Sequence, residues 1–153
     1  MIYTDYLATP VGTLEIKSSD VGIRAISFVE SQSEIIQASE LTTLCKQQLS
    51  EYFSGERKVF ELPLDQQGTD FQKTIWKSLV TVSFGESASY KDIANNVGNP
   101  KAVRAVGAAN GKNPISIVVP CHRVIGVTGK LTGYAGGLDR KKWLLAHEGI
   151  SFN

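Results

Sequence analysis

Apolar and polar positions alternate through the opening of the chain. In residues 2–9 (IYTDYLAT), 13–19 (TLEIKSS) and 22–29 (GIRAISFV) the side chains change character almost residue by residue, the period of half-buried strands. The intervening PVG and SDVG are turn chemistry, so a small antiparallel sheet is expected. The period then lengthens. From roughly Ser33 to Phe53 the apolar residues Leu41, Leu44, Cys45, Leu49, Tyr52 and Phe53 recur at helical spacing, and Gly55 supplies a stop. Cys45 falls on this stripe and reads as a small core residue.

KVFELPLDQQG leads out of this unit, and its polar DQQG is the candidate linker. Thr69 followed three residues later by Gln72 is a capping-box pattern, opening a helix with Phe71, Ile75, Trp76, Leu79 and Val80 as its apolar face. Ser89 caps a further helix that carries Tyr90 in its first turn and Ile93, Ala94 and Val97 on its inner face, and Gly98 ends it. Asn99-Pro100 suits an immediate restart, Asn as N-cap and Pro at the first helical position. Two short helices joined in this way make a helix-turn-helix. ISIVV, 115–119, reads as a buried strand that Pro120 brings to an end, and LDRKKWLLAHEG as a terminal helix. The expected fold class is α+β: residues 1–67 a scaffold of antiparallel sheet plus helix, residues 68–153 a mostly helical domain with a winged-helix-like helix-turn-helix.

A hydrophobic content of 42% is enough for a real core, and the absence of any run of 18 apolar residues argues against a membrane span. The N-terminus lacks the basic-then-apolar pattern of a signal peptide. Cys45 and Cys121 stand 76 positions apart, neither a disulfide framework nor a zinc spacing, and only two histidines accompany them. The expectation is a reducing cytoplasm and no metal. Charge is uneven. Residues 1–65 hold five Lys/Arg against ten Asp/Glu, and residues 66–153 hold eleven against five. A basic second half fits a polyanionic partner, and it equally fits an uneven surface with no partner.

Within that basic half, Lys101 to Ala109 contains four alanines and one glycine. Val103 and Val106 are expected to face inward. Ala102, Ala105 and Ala108 have nothing to offer a base edge, where a reading helix carries Arg, Asn or Gln. Such a helix suits close backbone approach to a duplex without sequence readout, with Arg104 as a lone cation able to enter the stack, or it is an ordinary packed helix with Arg104 solvated. The motif PCHRV raises a parallel question. Cys121 at the end of a rigid segment is well placed for a nucleophile, with His122 as candidate base, Glu148 as its orienting partner and Arg123 as a cation that lowers the thiol pKa. Without its context, the same pentapeptide also reads as a buried cysteine beside charged surface residues. His147, in the last turn of its helix, reads as structural.

Taken together, FGESASYKDIA, NPKAVRAVGAANGKNP, PCHRV and GYAGGLDRKKWLLAHEG resemble the O6-alkylguanine-DNA alkyltransferases (methylated-DNA–protein-cysteine methyltransferases) in order and spacing from about Thr69 to Gly149. The first 65 residues match only in general plan. The resemblance implies direct-reversal repair: a monomer binds double-stranded DNA from the minor groove, flips out an O6-alkylguanine and takes its alkyl group irreversibly, with no cofactor. It implies Cys121 as acceptor, His122 as base acting through a water, Glu148 polarising His122, and Asn113 bracing the turn. Tyr90 would drive flipping and Arg104 fill the vacated space, with Lys101, Ala102 and Ala105 against the duplex. The backbone at Cys121 and Val124 would read the guanine amino group, while Tyr134 and the Ala135 amide line the pocket. Many members carry serine at the position of Ala135. O4-alkylthymine as a second substrate stays open. A sequence-reading regulator would need base-reading side chains on its second helix, and a cysteine hydrolase would turn over.

Overall fold

The computed structural model describes residues 1–153 and divides into two compact units, Met1–Gln67 and Gly68–Asn153. In the first, strands β1 (Tyr3–Thr9), β2 (Gly12–Ser18) and β3 (Ile23–Val29) form an antiparallel sheet in the order β1-β2-β3. Thr9 pairs with Gly12, so Pro10 and Val11 alone make the first turn. Leu14, Ile16 and Ser18 are buried at every second position of β2, as a half-buried strand requires. Helix α1 (Glu40–Phe53) packs on β1 and β2, burying Cys45, Leu49 and Tyr52. Residues 63–65 lie along β3, where Ile23 N–H donates to the Pro63 carbonyl at 2.8 Å and Asp65 N–H to the Ile23 carbonyl at 2.8 Å. Gly22 permits this approach, since a Cβ there would sit 2.8 Å from the Pro63 oxygen.

The helix expected from Ser33 begins only at Glu40. Gln37 exchanges two 2.9 Å backbone bonds with Thr4 at the sheet edge, and Ser39 closes a capping box with Thr42. Leu44, expected on the inner stripe, is exposed, while Thr42 and Gln48 are buried. Gln48 earns its place by bonding both ways to the backbone of Glu61, at 2.9 and 3.1 Å.

The second unit contains α2 (Asp70–Val80), β4 (Ala88–Ser89), α3 (Tyr90–Asn96), α4 (Val103–Gly111), a 3-10 turn (Cys121–Arg123), β5 (Val124–Ile125) and α5 (Leu138–His147). α2 and α3 start on reciprocal capping boxes, Thr69 with Gln72 and Ser89 with Asp92. Ile75, Trp76 and Leu79 of α2 are buried, whereas Phe71 and Val80, expected beside them, are exposed. Trp76 Nε1 donates to the Ala109 carbonyl at 2.8 Å, and Asn96 Nδ2 to Ser78 Oγ at 2.8 Å, which joins α2 to α4 and to α3. Gly98 takes the left-handed conformation (φ 76°) that ends α3.

Two local expectations fail here. Asn99 does not cap α4: residues 99–102 form a turn closed by Ala102 N–H to the Asn99 carbonyl, and the helix starts at Val103 with Ala102 as its uncapped N-terminal flank. Val103 is consequently exposed, and the inward positions are Val106, Ala109 and Asn110. ISIVV is buried but is not a strand. Ile117 has φ 72°, uncommon for a β-branched residue, and the segment folds back on itself. The cause is Asn113, described next.

Candidate active site

The segment before Cys121 is wound around one side chain. Asn113 Oδ1 accepts from Ile115 N–H at 3.0 Å, and Asn113 Nδ2 donates to the carbonyls of Val119 at 2.8 Å and Ile115 at 3.2 Å. These bonds take the backbone groups that a strand would have given to a neighbour. Pro120 (φ −82°, ψ 62°) then makes an inverse γ-turn, with Cys121 N–H on the Val119 carbonyl at 2.8 Å. Cys121 emerges at the first position of the 3-10 turn, and Asn110 Nδ2 reaches its carbonyl at 3.4 Å.

Glu148 arrives from the other direction. α5 ends at His147, Gly149 adopts φ 75°, and Ile150 N–H bonds back to the Leu145 carbonyl, a left-handed helix stop that holds Glu148 at the C-cap. Its two oxygens are taken separately. Oε2 lies 2.6 Å from His122 Nε2, and Oε1 accepts from Arg123 Nε at 2.6 Å. Arg123 also donates to the Val82 carbonyl at 2.6 Å and lies over the Phe84 ring. His122 is wholly buried, and Glu148 and Arg123 nearly so.

The protonation states follow from these partners. Burial alone would raise the Glu148 carboxyl, but the hydrogen bond and charge of His122 and Arg123 outweigh it and hold it down at about 2. Burial pushes the His122 imidazole below its ordinary value against the pull of Glu148, so it is neutral at neutral pH. A carboxylate only accepts, so Nε2 carries the proton, and Nδ1, which has no protein partner, is the free base. At Cys121 burial is again the largest influence and raises the thiol. The Asn113 amide, the Lys141 charge and the N–H groups of Cys121 and His122 pull the other way. The resting group is therefore a thiol with a base one residue away.

The other candidates fall around this core. Tyr90 is half-buried and its hydroxyl bonds to Thr132 Oγ1. The Tyr134 hydroxyl is buried, its pKa raised first by burial and then by the Cys121 charge. Val124 is buried, and its carbonyl accepts from Lys141 Nζ at 2.7 Å. Ala135 is exposed. Lys101, Arg104, Ala105 and Ala108 are exposed and Ala102 is half-buried, so the outer side of α4 presents Val103, two alanines and the single cation Arg104, with Lys101 in the turn before it. No three His, Cys, Asp or Glu side chains come together in a way that could hold a metal.

Both units match known domains. Residues 70–150 match the family model described as 6-O-methylguanine DNA methyltransferase, DNA binding domain, and residues 2–66 the one described as 6-O-methylguanine DNA methyltransferase, ribonuclease-like domain. The chain belongs to the 6-O-methylguanine DNA methyltransferase family. Among its relatives is the methylated-DNA–protein-cysteine methyltransferase of Methanosarcina acetivorans, 44% identical over 97% of this chain and 99% of that protein. That of Mycolicibacterium paratuberculosis is 59% identical over 92% and 88%. A crystal structure of Mycobacterium tuberculosis OGT in complex with DNA superposes with a TM-score of 0.87 at 43% identity, covering 97% of this chain and 92% of that one.

Within this methyltransferase, sequence reasoning placed Arg123 near the thiol as a cation acting on it. The structure turns it to Glu148 instead, which it orients against His122. The charge that favours the Cys121 thiolate is that of Lys141, which no sequence motif marks. A signal was present. Lys141, Leu144, Leu145 and Glu148 occupy the i, i+3, i+4, i+7 stripe of α5, so two charged residues stand at core positions of an amphipathic helix. His147 stacks on Trp143 at 4.8 Å, consistent with a structural role.

Proposed function

We propose that this protein repairs double-stranded DNA by moving the O6-alkyl group of a flipped-out guanine to Cys121, once per molecule. One observation carries the reading: a buried thiol on a braced turn, next to a neutral histidine whose Nε2 is tied to a buried carboxylate and whose Nδ1 is free. That arrangement makes a base out of His122 and a nucleophile out of Cys121.

O6 lies inside the base stack, so the nucleotide must leave the duplex to meet a buried sulfur. The smooth face of α4 permits close approach in the minor groove without base readout, and Arg104 fills the gap left behind. Lys101, Ala102 and Ala105 contact the duplex, and Tyr90, at the start of α3, favours extrusion. The extruded guanine lies against Tyr134 and the Ala135 amide. The Val124 carbonyl, which already accepts from Lys141, keeps a second lone pair for the guanine amino group. Nδ1 of His122 takes the thiol proton through a bridging water, while Glu148 steadies the imidazolium. Sulfur then attacks the alkyl carbon. The S–C bond forms as the C–O6 bond breaks, and the bonding pair leaves with O6 into the guanine ring, which takes up a proton. The thioether is stable, and no group in the site can remove it. The protein acts as a monomer, and its two free cysteines suit a reducing cytoplasm.

Intact mass after incubation with a duplex containing O6-methylguanine tests the reading. One methyl per chain, mapped to Cys121, is the expected result. Continued turnover, or a methyl on Cys45, overturns it.

A further inference from the structure

Three pieces of chain meet at Tyr90, the first residue of α3. Its ring lies beside α4, where a Cβ on Gly107 would stand 3.7 and 3.8 Å from Cδ1 and Cε1, ordinary contact distances. Its hydroxyl bonds to Thr132 Oγ1, 42 residues further along the chain. Thr132 belongs to the irregular stretch between β5 and α5. That stretch is anchored next to it, since Leu131 packs against the buried cluster of Ile125, Leu145 and Ile150. Tyr134, on the other side of Thr132, holds its hydroxyl in the interior. A β-branched side chain in such a place has little rotational freedom, so the Thr132 hydroxyl is a fixed post for the phenol.

Each of the two hydroxyls has one proton to give and lone pairs with which to accept. One of them donates across the pair, and which one does so decides what Tyr90 has left. A nucleotide leaves the stack by rotation about its backbone, so the part of the strand that a phenol at the rim can hold is a phosphate oxygen. A phosphate oxygen only accepts, and Tyr90 must donate to it. The pair then runs in one direction: Thr132 donates to Tyr90, and Tyr90 donates to the phosphate. Both protons are used, and each bond polarises the next. A phenol without the threonine would have to be ordered at the moment of contact.

We infer that Thr132 is a positioning residue for base extrusion: its hydroxyl holds the Tyr90 phenol and turns the phenolic O–H toward a phosphate of the nucleotide being extruded. It acts through Tyr90 and touches no reacting atom. This rests on Tyr90 driving extrusion, which the experiment checks separately.

Wild type, Thr132→Val, Thr132→Ser, Tyr90→Phe and the double variant of Thr132→Val with Tyr90→Phe are reacted, in single-turnover amounts, with a duplex carrying O6-methylguanine and with the free base O6-benzylguanine. Alkylation is followed over time by intact mass. Valine keeps the branched shape without the hydroxyl, serine keeps the hydroxyl, and phenylalanine removes the bond from its other end. Thr132→Val is expected to slow transfer from the duplex about fivefold, the worth of one ordinary hydrogen bond, with the free-base reaction nearly unchanged. Thr132→Ser should restore the duplex rate. The double variant should be no slower than Tyr90→Phe, because the threonine has then lost the group it acts on. If Thr132→Val does not fold, as judged by circular dichroism, Thr132→Ala takes its place with the same expectations. A wild-type duplex rate without the Thr132 hydroxyl, equal slowing on both substrates, or losses that add in full in the double variant each overturn the inference. Tyr90→Phe reacting with the duplex as fast as wild type overturns the extrusion role of Tyr90 and the inference with it, whereas a slow Tyr90→Phe beside a fast Thr132→Val overturns the role of the threonine alone.

Discussion

Cys45 in the first unit and Cys121 in the second are both buried thiols in helical turns, yet their surroundings differ in kind. Cys45 sits on the buried face of α1, and burial alone pushes its thiol up to about 12. Burial raises Cys121 too, but an amide, an ammonium group and backbone N–H groups oppose it. The same contrast runs through the charged residues. In the first unit Arg57 meets Glu51 at 2.8 Å with both side chains a quarter or more exposed. In the second, His122, Arg123, Lys141 and Glu148 are all 6% exposed or less. The Arg57–Glu51 pair is left partly to water, whereas the charges around Cys121 are desolvated. Desolvated charge that is no bargain for stability belongs where chemistry is done.

Exchanging the fates of the two cysteines tests the contrast most severely. Cys121→Ser is expected to abolish methyl uptake from an O6-methylguanine duplex while lesion binding, read by gel shift, persists. Cys45→Ala should retain stoichiometric uptake. Residual transfer in Cys121→Ser would erase the distinction between the two thiols.

Removing a carboxylate from each unit comes next. Glu148→Ala strands Arg123 and His122 in the interior and should destabilise the fold by about 3–5 kcal/mol. Glu51→Ala, which breaks a solvent-screened pair, should cost under about 1 kcal/mol. Urea unfolding of both variants measures the pair, and equal losses would mean that burial is not what separates the two sets of charges.

Acid should act on the second unit first. The folded Glu148 carboxyl is held at about 2, so its contribution is full above its ordinary value near 4.3 and is lost as pH falls toward 2, roughly 3 kcal/mol in all. His122, buried and neutral, adds a loss in the same direction: below its ordinary value near 6.5 the unfolded chain takes up a proton that the folded one resists. Trp76 and Trp143 both lie in the second unit, so tryptophan fluorescence follows it alone. Its signal is expected to change at a higher pH than the amide-exchange protection of β1–β3, and the reverse order would contradict the pairing described.

The smallest effect on stability, and one of the more telling, is expected from Arg104→Ala. The side chain is exposed, and its removal should shift stability by no more than about 0.5 kcal/mol. It should nonetheless slow repair in duplex DNA while leaving reaction with free O6-benzylguanine nearly unchanged. Equal slowing of both would assign Arg104 to the pocket rather than to the opened stack.

Much of this architecture was legible because it is encoded locally. The three strands follow their alternation to within a residue or two at each end, and the Thr69–Gln72 and Ser89 starts follow from capping alone. The misreadings have different causes, one a distant partner and the other a nearby side chain. The 33–39 segment looks like helix until Gln37 finds Thr4, 33 residues away in sequence. ISIVV looks like strand until Asn113 takes its backbone groups. At the site, PCHRV and the Glu148 partner could be named from the sequence, whereas the direction in which Arg123 points, and the burial of Lys141, depend on how α5 packs against the Cys121 turn.

The outer side of α4 has a consequence for how a lesion is found. If the proposed docking of α4 holds, Ala105 and Ala108 would stand in place of side chains that grip particular base edges, successive base pairs would pass beneath the helix at nearly equal energy, and Lys101 and Arg104 would hold the duplex through a field that does not depend on sequence. Motion along the double helix would then meet little ruggedness, and the protein would scan rather than stall. A modified guanine declares itself by the ease with which its weakened pair comes out of the stack. Salt, which thins that field, is expected to shorten each excursion on the track without changing which base is chosen.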